Sequence, residues 1–154
     1  METELRRAAF FDLGSCCRSV AGAVVSAIET HRRAGDLLIL VLPDDRVPPH
    51  PYQLGLRMDL MVYARSARTP EDINQPSSLD SAKLQIVVET MARLGLDASR
   101  CFAYGHRSSG LGTLAVVGNP RVIAPDPELT RYARSRGWPL IDAPRVSPET
   151  PSSC

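Results

Sequence analysis

The chain has 154 residues, of which 44% are hydrophobic and 23% charged, a composition typical of a globular domain with one hydrophobic core. Eighteen basic and seventeen acidic residues leave a formal net charge of +1, with no positive block that would attract the phosphates of a nucleic acid. The longest aliphatic run, residues 37–42, is far shorter than the roughly 20 residues of a membrane span, and the first residues lack the pattern of a signal peptide. We therefore expect a cytoplasmic protein that binds neither nucleic acid nor membrane.

Short apolar runs recur along the chain and have the length of strands buried on both faces. They are residues 8–13, 37–42, 60–63, 101–104 and 122–124. Helical patterns lie between them at residues 20–33 and 81–94, with Asp80 as a candidate N-cap of the second and with Gly35 and Gly95 as stop signals. Strands that alternate with helices predict an α/β fold with a parallel sheet of about five strands.

The last helix has the clearest end signals. Asp126 can cap it, Pro127 suits its first turn, and Gly137 follows its basic end. Residues 66–78 are polar and contain two prolines, which predicts a surface loop, and residues 143–154 form a Pro/Ser-rich tail that we expect to be disordered. The sequence thus predicts one domain over residues 1–142.

The four cysteines show no C-x-x-C spacing and predict no disulfide framework. Cys16 and Cys17 could meet Asp12 and His106 in space and hold zinc, but small residues packed at a turn are the simpler interpretation.

Ligands of open parallel sheets bind beyond the carboxyl ends of the strands, so the residues after each strand carry most information about function. Residues 10–16 read F-F-D-L-G-S-C and resemble the first motif, F-F-D-x-D-x-T, of the haloacid dehalogenase superfamily, in its phosphoserine-phosphatase-like branch, subfamily IB. Further matches follow in the same order along residues 7–142: H-R-R-A-G at 31–35, Lys83, Y-G at 104–105, V-G-N-P at 117–120, P-D-P-E-L at 125–129 and R-G-W-P at 136–139.

This resemblance implies a Rossmann-like core with helices on both faces of the sheet. It also implies a strand order of 5-4-1-2-3, numbered along the chain, and a helical cap between the first motif and the second strand. Only one helix's worth of sequence, residues 16–36, occupies that place. We therefore expect the cap to be absent and the site to be open to solvent.

The resemblance places Asp12 at the nucleophile position and Lys83 at a phosphate-binding position. Four other motif positions have lost the family's chemical group: Gly14 replaces the acid/base carboxylate, Leu40 stands where a hydroxyl is expected within residues 40–42, and His106 and Gly110 replace two carboxylates that hold Mg²⁺. Because Mg²⁺ requires oxygen ligands, we expect no cofactor, and Mg²⁺ only if the family activity is retained.

Two interpretations of the remaining charged residues stay open. Asp12 and Lys83 can form a structural ion pair, while Lys83, His106 and Arg107 can form an anion pocket near the start of the helix that Lys83 opens. Alternatively, Arg107 points into solvent and His106 only ends the strand.

We expect a catalytically inactive pseudophosphatase that binds a partner protein or a phosphorylated small molecule, and a homodimer is compatible with this role. The alternative is a phosphomonoester hydrolase with Asp12 as nucleophile, Lys83 as electrostatic stabiliser and His106 as substitute acid/base.

Overall fold

The computed structural model describes residues 7–12, 21–42, 58–64, 76–105, 111–123 and 126–141. The predicted tail and the boundary at residue 142 lie outside these ranges, as do Gly14, His106, Arg107 and Gly110. No helix within them combines the length and the apolar character needed to cross a bilayer.

The described residues form a parallel sheet of six strands. In chain order the strands are β1 (Ala8–Asp12), β2 (Leu37–Leu42), β3 (Leu60–Tyr63), β4 (Phe102–Gly105), β5 (Asn119–Ile123) and β6 (Leu140–Ile141). They are arranged in the order β3-β2-β1-β4-β5-β6. The predicted order of the first five strands is confirmed, and the sheet has one strand more than expected.

Helices cover both faces of this sheet. They are α1 (Ala21–Ala34), α2 (Pro76–Leu94), α3 (Leu111–Val116) and α4 (Pro127–Arg136), with a 3-10 turn at Ala98–Arg100. Buried residues of α1 pack with Ala9 and Phe11 of β1, whereas buried residues of α2, α3 and α4 pack with Ala8 and Phe10. Because successive strand residues point to opposite faces, even-numbered residues of β1 face α2 and odd-numbered ones face α1.

The start of α2 corrects a prediction. The helix begins at Pro76, so Asp80 is not its N-cap, Lys83 does not open it, and part of the predicted loop at 66–78 is helical. Proline fits the first helical position because no intrahelical hydrogen bond is required of its nitrogen. Lys83 therefore lies about 10 Å along the helix axis from Pro76, beyond the first turn that carries the free backbone N–H groups. The prediction that Lys83 lies at the start of the helix is wrong.

Strand β5 also begins earlier than predicted, at Asn119, and contains Pro120. The backbone N–H of Asn119 donates to Cys101 next to β4, whereas that of Val122 donates to Pro139 on the β6 side. Because backbone N–H groups point alternately to the two sides of a strand, the nitrogen of Pro120 faces the β6 side. The pairing of β5 with β6 begins only at Val122. Proline is tolerated there because no ladder hydrogen bond is lost.

A close backbone approach explains the glycine of the V-G-N-P motif. A Cβ on Gly118 would lie 2.0 Å from the carbonyl oxygen of Ser99. The N–H of Gly118 donates to Ala98, and the side-chain amide of Asn119 donates to the carbonyl of Cys101 at 3.2 Å. This motif therefore joins the 3-10 turn to β5 and has a structural role.

The end signals predicted for the last helix are confirmed in α4. The Asp126 carboxylate accepts a hydrogen bond of 2.8 Å from the N–H of Leu129, and Pro127 is the first helical residue. Gly137 ends the helix with a φ of 70°, a left-handed conformation that glycine adopts without strain.

Candidate functional site

The candidate site lies at the carboxyl end of β1, the third strand of the sheet. Asp12 is the last residue of β1 and pairs in register with Gly105, the last residue of β4. Asp12 shares a sheet face with Ala8 and Phe10, which is the face that α2 covers. The fold thus directs an acidic side chain from the central part of the sheet toward α2.

Lys83 of α2 meets this carboxylate. Its Nζ donates a hydrogen bond of 2.9 Å to Oδ1 of Asp12, and both side chains are only 5% exposed. The predicted pairing is therefore confirmed. A buried carboxylate without a counter-ion would be strongly destabilising, and the ammonium of Lys83 supplies that counter-ion.

The neighbouring end of β2 is apolar. Leu40, Val41 and Leu42 are buried and carry no hydroxyl. Leu40 pairs in register with Phe11 and packs in the cluster that contains α1, so its side chain lies on the opposite face from Asp12. Val41 lies on the same sheet face as Asp12, since it packs in the cluster that contains Ala8 and Phe10. Its apolar side chain has no hydrogen-bond donor for a phosphoryl group.

The described residues supply no set of metal ligands at this edge. No three His, Cys, Asp or Glu side chains within the described ranges stand close enough to hold a metal ion. Of the two carboxylate oxygens of Asp12, Oδ1 is engaged by an ammonium group. A hard cation such as Mg²⁺ prefers several oxygen ligands, so the donors found here do not fit it.

A second buried polar cluster lies on the α1 face and was not predicted as a unit. Arg7 donates through Nε to Oδ1 of Asp36 at 2.9 Å and through Nη2 to Oδ2 at 3.1 Å. His31 contacts the same Oδ2 through Nδ1 at 2.8 Å and the hydroxyl of Tyr104 through Nε2 at 2.7 Å. Because a carboxylate only accepts, Nδ1 of His31 carries a proton. We call these four residues the Asp36 network.

Burial and hydrogen bonding act in opposite directions on this network. Burial alone would raise the pKa of the Asp36 carboxyl, but hydrogen bonds and charge from Arg7 and His31 outweigh it and hold the pKa below its usual value. Burial raises the pKa of the Tyr104 phenol. The Tyr104 ring also stacks on Phe11, with centroids 4.7 Å apart, directly before Asp12 in β1.

The remaining predicted site residues lie outside the described part of the chain. They are Gly14, His106, Arg107, Gly110 and the vicinal cysteines. His106 and Arg107 follow Gly105 in the sequence, and Gly105 is the sheet partner of Asp12. The structure thus brings together Asp12 and Lys83, and it places Leu40 on the other face.

No family model matches the chain. An "Inhibition of morphological differentiation protein" of Streptomyces azureus is 30% identical over 121 residues, which are 76% of this chain and 44% of that protein. A protein of Mycobacterium tuberculosis named a probable phosphatase is 35% identical over 63 residues, 41% of this chain and 22% of its own. The chain therefore spans less than half the length of these relatives.

Solved structures extend the comparison to the fold. A Bordetella pertussis protein of unknown function superposes with a TM-score of 0.67 at 16% identity and covers 90% of this chain and 99% of its own. A substrate-bound phosphoserine phosphatase superposes with a TM-score of 0.58 at 11% identity, and the match covers 91% of this chain and 94% of that one. A third structure is the 3-deoxy-D-manno-octulosonate 8-phosphate phosphatase of Moraxella catarrhalis, solved with magnesium and phosphate. It superposes with a TM-score of 0.50 at 15% identity, and the match covers 83% of this chain and 72% of that one. The chain thus shares the fold of haloacid dehalogenase hydrolases.

Proposed function

We propose that this chain binds a phosphorylated small molecule at the carboxyl edge of its sheet without hydrolysing it. The observation that carries the proposal is the buried pair of Asp12 and Lys83 at the end of β1. In an open parallel sheet this edge is where ligands bind, and the fold is one that phosphatases use.

Hydrolysis is disfavoured because the groups that would move protons and bind metal are replaced. Gly14, two residues after Asp12, has no side chain, and loss of a general acid or base typically lowers a rate by about 10² to 10⁴. The sequence has His106 and Gly110 where carboxylates would hold Mg²⁺. We therefore also propose that Mg²⁺ is not part of this site, although a structural neighbour was solved with it.

Binding of a phosphoryl group remains chemically reasonable. An ammonium group has three N–H donors, and Asp12 accepts from one of them, so Lys83 can donate to a second anion. The pair itself has no net charge. Positive charge from Arg107, and from His106 when protonated, would have to balance the phosphate, and both residues directly follow the sheet partner of Asp12.

Two measurements on the full chain test the proposal. Binding of inorganic phosphate is measured by calorimetry without Mg²⁺, and hydrolysis of p-nitrophenyl phosphate is assayed with and without Mg²⁺, with Asp12→Asn as the control for contaminating activity. We expect saturable binding and no turnover above the Asp12→Asn level. Absence of phosphate binding by the folded chain would contradict the proposal.

A working phosphatase is the second candidate, and one feature of the pair favours it. Lys83 engages Oδ1 of Asp12, which leaves Oδ2 as the atom that could attack phosphorus. His106 would then act as the acid/base. Turnover that disappears in both Asp12→Asn and His106→Gln would establish this alternative and exclude the inactive role.

We further propose that the site has no helical cap. Within the described residues, α1 is the element between β1 and β2, and residues 13–20 are not described. A second copy of the chain or another protein could cover an uncapped edge. Light scattering on the purified chain, with and without phosphate, would detect a homodimer.

A further inference from the structure

One buried hydroxyl in α3 has no hydrogen-bond partner among the described residues. Thr113 is 2% exposed, and its Oγ1 is a buried side-chain atom for which the described part of the chain supplies no partner. The other threonines in the described helices, Thr30, Thr90 and Thr130, each donate to the carbonyl four residues earlier, at 3.0, 2.6 and 2.8 Å. An unmade hydrogen bond on a buried hydroxyl is destabilising, so Thr113 is the unusual case.

The neighbours of Thr113 fix the direction of its side chain. A Cβ on Gly112 would lie 3.6 Å from Leu84 of α2, and Leu114 lies 3.3 Å from the Cβ position of Gly105 in β4. Successive helical residues are rotated by about 100°, so Thr113 points between these two directions. Ala115, on the opposite side of α3, is exposed. The hydroxyl-bearing side chain therefore projects into the angle between α2 and β4.

The two elements that form this angle adjoin the ion pair. Gly105 is the sheet partner of Asp12, and Leu84 is the helical neighbour of Lys83. Helix α3 thus packs against α2, which carries Lys83, and against β4, the sheet neighbour of the strand that carries Asp12. Thr113 brings a polar group without a partner to this corner, where an apolar side chain would pack without a desolvation penalty.

We propose that Thr113 is a ligand-binding residue of this site, and that its hydroxyl donates to an oxygen of the bound phosphoryl group. The inference rests on the proposed phosphate binding and extends it to a residue from a third element. This role explains why a buried hydroxyl that does not stabilise the unliganded protein is present, because the phosphoryl oxygen of the ligand would be its hydrogen-bond partner.

The test compares Thr113→Val, which keeps the shape and removes the hydroxyl, with Thr113→Ser, which keeps the hydroxyl. Binding of inorganic phosphate without Mg²⁺ and the thermal unfolding midpoint are measured for both variants. We expect Thr113→Val to weaken phosphate binding by about tenfold or more, since hydrogen bonds to charged groups are strong. Its unfolding midpoint without phosphate stays equal or rises, and Thr113→Ser binds like the wild type.

The outcomes separate this inference from the function on which it rests. Phosphate binding that is unchanged in Thr113→Val overturns the role of Thr113 and leaves the proposed function intact. A loss of affinity that Thr113→Ser shares would trace to packing and also overturn it. If the wild-type chain binds no phosphate, the proposed function fails and this inference with it.

Discussion

The two buried polar clusters differ in how fully their hydrogen-bonding groups are used. In the Asp36 network one carboxylate accepts three hydrogen bonds and both ring nitrogens of His31 have partners. Among the described residues, the Asp12 carboxylate at the end of β1 accepts one hydrogen bond, from Lys83, and the hydroxyl of Thr113 in α3 has no partner. Saturated groups are typical of structural networks, whereas spare donors and acceptors at the ligand-binding edge of a sheet are typical of a site.

The largest expected effect is from breaking the Asp12 pair. Lys83→Met leaves a buried carboxylate without a counter-ion and should lower the free energy of unfolding by about 3–5 kcal/mol. Denaturant unfolding measures this change. The double variant Asp12→Asn with Lys83→Met removes both charges and should recover most of the loss, while phosphate binding is lost in both. A Lys83→Met variant as stable as the wild type would show that the pair is not desolvated as described.

The Asp36 network should respond in stability alone. His31→Leu removes two buried hydrogen bonds and should lower the free energy of unfolding by about 2–4 kcal/mol, since Asp36 and Tyr104 each lose a partner. Phosphate affinity of the folded variant should equal that of the wild type. If the variant, measured at a temperature where it is folded, also bound phosphate more weakly, the Asp36 network would not be purely structural.

A smaller change isolates one bond of the network. Tyr104→Phe keeps the ring that stacks on Phe11 and removes the hydroxyl that contacts His31. The expected loss is about 1 kcal/mol, the net value of a typical hydrogen bond. Combining it with His31→Leu should cost less than the sum of the two single changes, because both remove the same contact. Additive losses would contradict a direct bond between these side chains.

Acid should affect the network in one direction. The pKa of Asp36 is lowered in the folded protein, so its carboxylate contributes stability above the unfolded pKa of about 4, and this contribution is lost as the pH falls through the folded value. Thermal unfolding between about pH 6 and pH 2 should therefore show a steeper acid loss in the wild type than in Asp36→Asn. Equal slopes would show that Asp36 is not stabilised by its partners.

Local signals predicted much of this fold. The end signals of α4 depend on residues adjacent in sequence, and the apolar run of β2 has the boundaries that the sequence indicates, Leu37–Leu42. The sequence signal was weak for β6, which has two residues, and for the start of α2, where Pro76 and polar residues are typical of a loop.

The site was predictable only in part. Asp12 and Lys83 followed from motif positions, and the structure confirms their contact. His31 and Tyr104 are 73 positions apart, and Thr113 is distinguished by a missing partner, so sequence patterns could not show either feature. Such features depend on how the layers pack.

The position of β1 in the sheet also bears on how the protein is made. Its neighbour β2 begins at Leu37, but its other neighbour, β4, begins only at Phe102. During synthesis the central strand therefore leaves the ribosome long before its second edge can be paired. Until β4 emerges, Phe10 and Phe11 belong to an exposed apolar edge, and contacts between such distant segments are slow to form. The nascent chain should thus expose this apolar strand during the interval in which half of the described sheet is still missing.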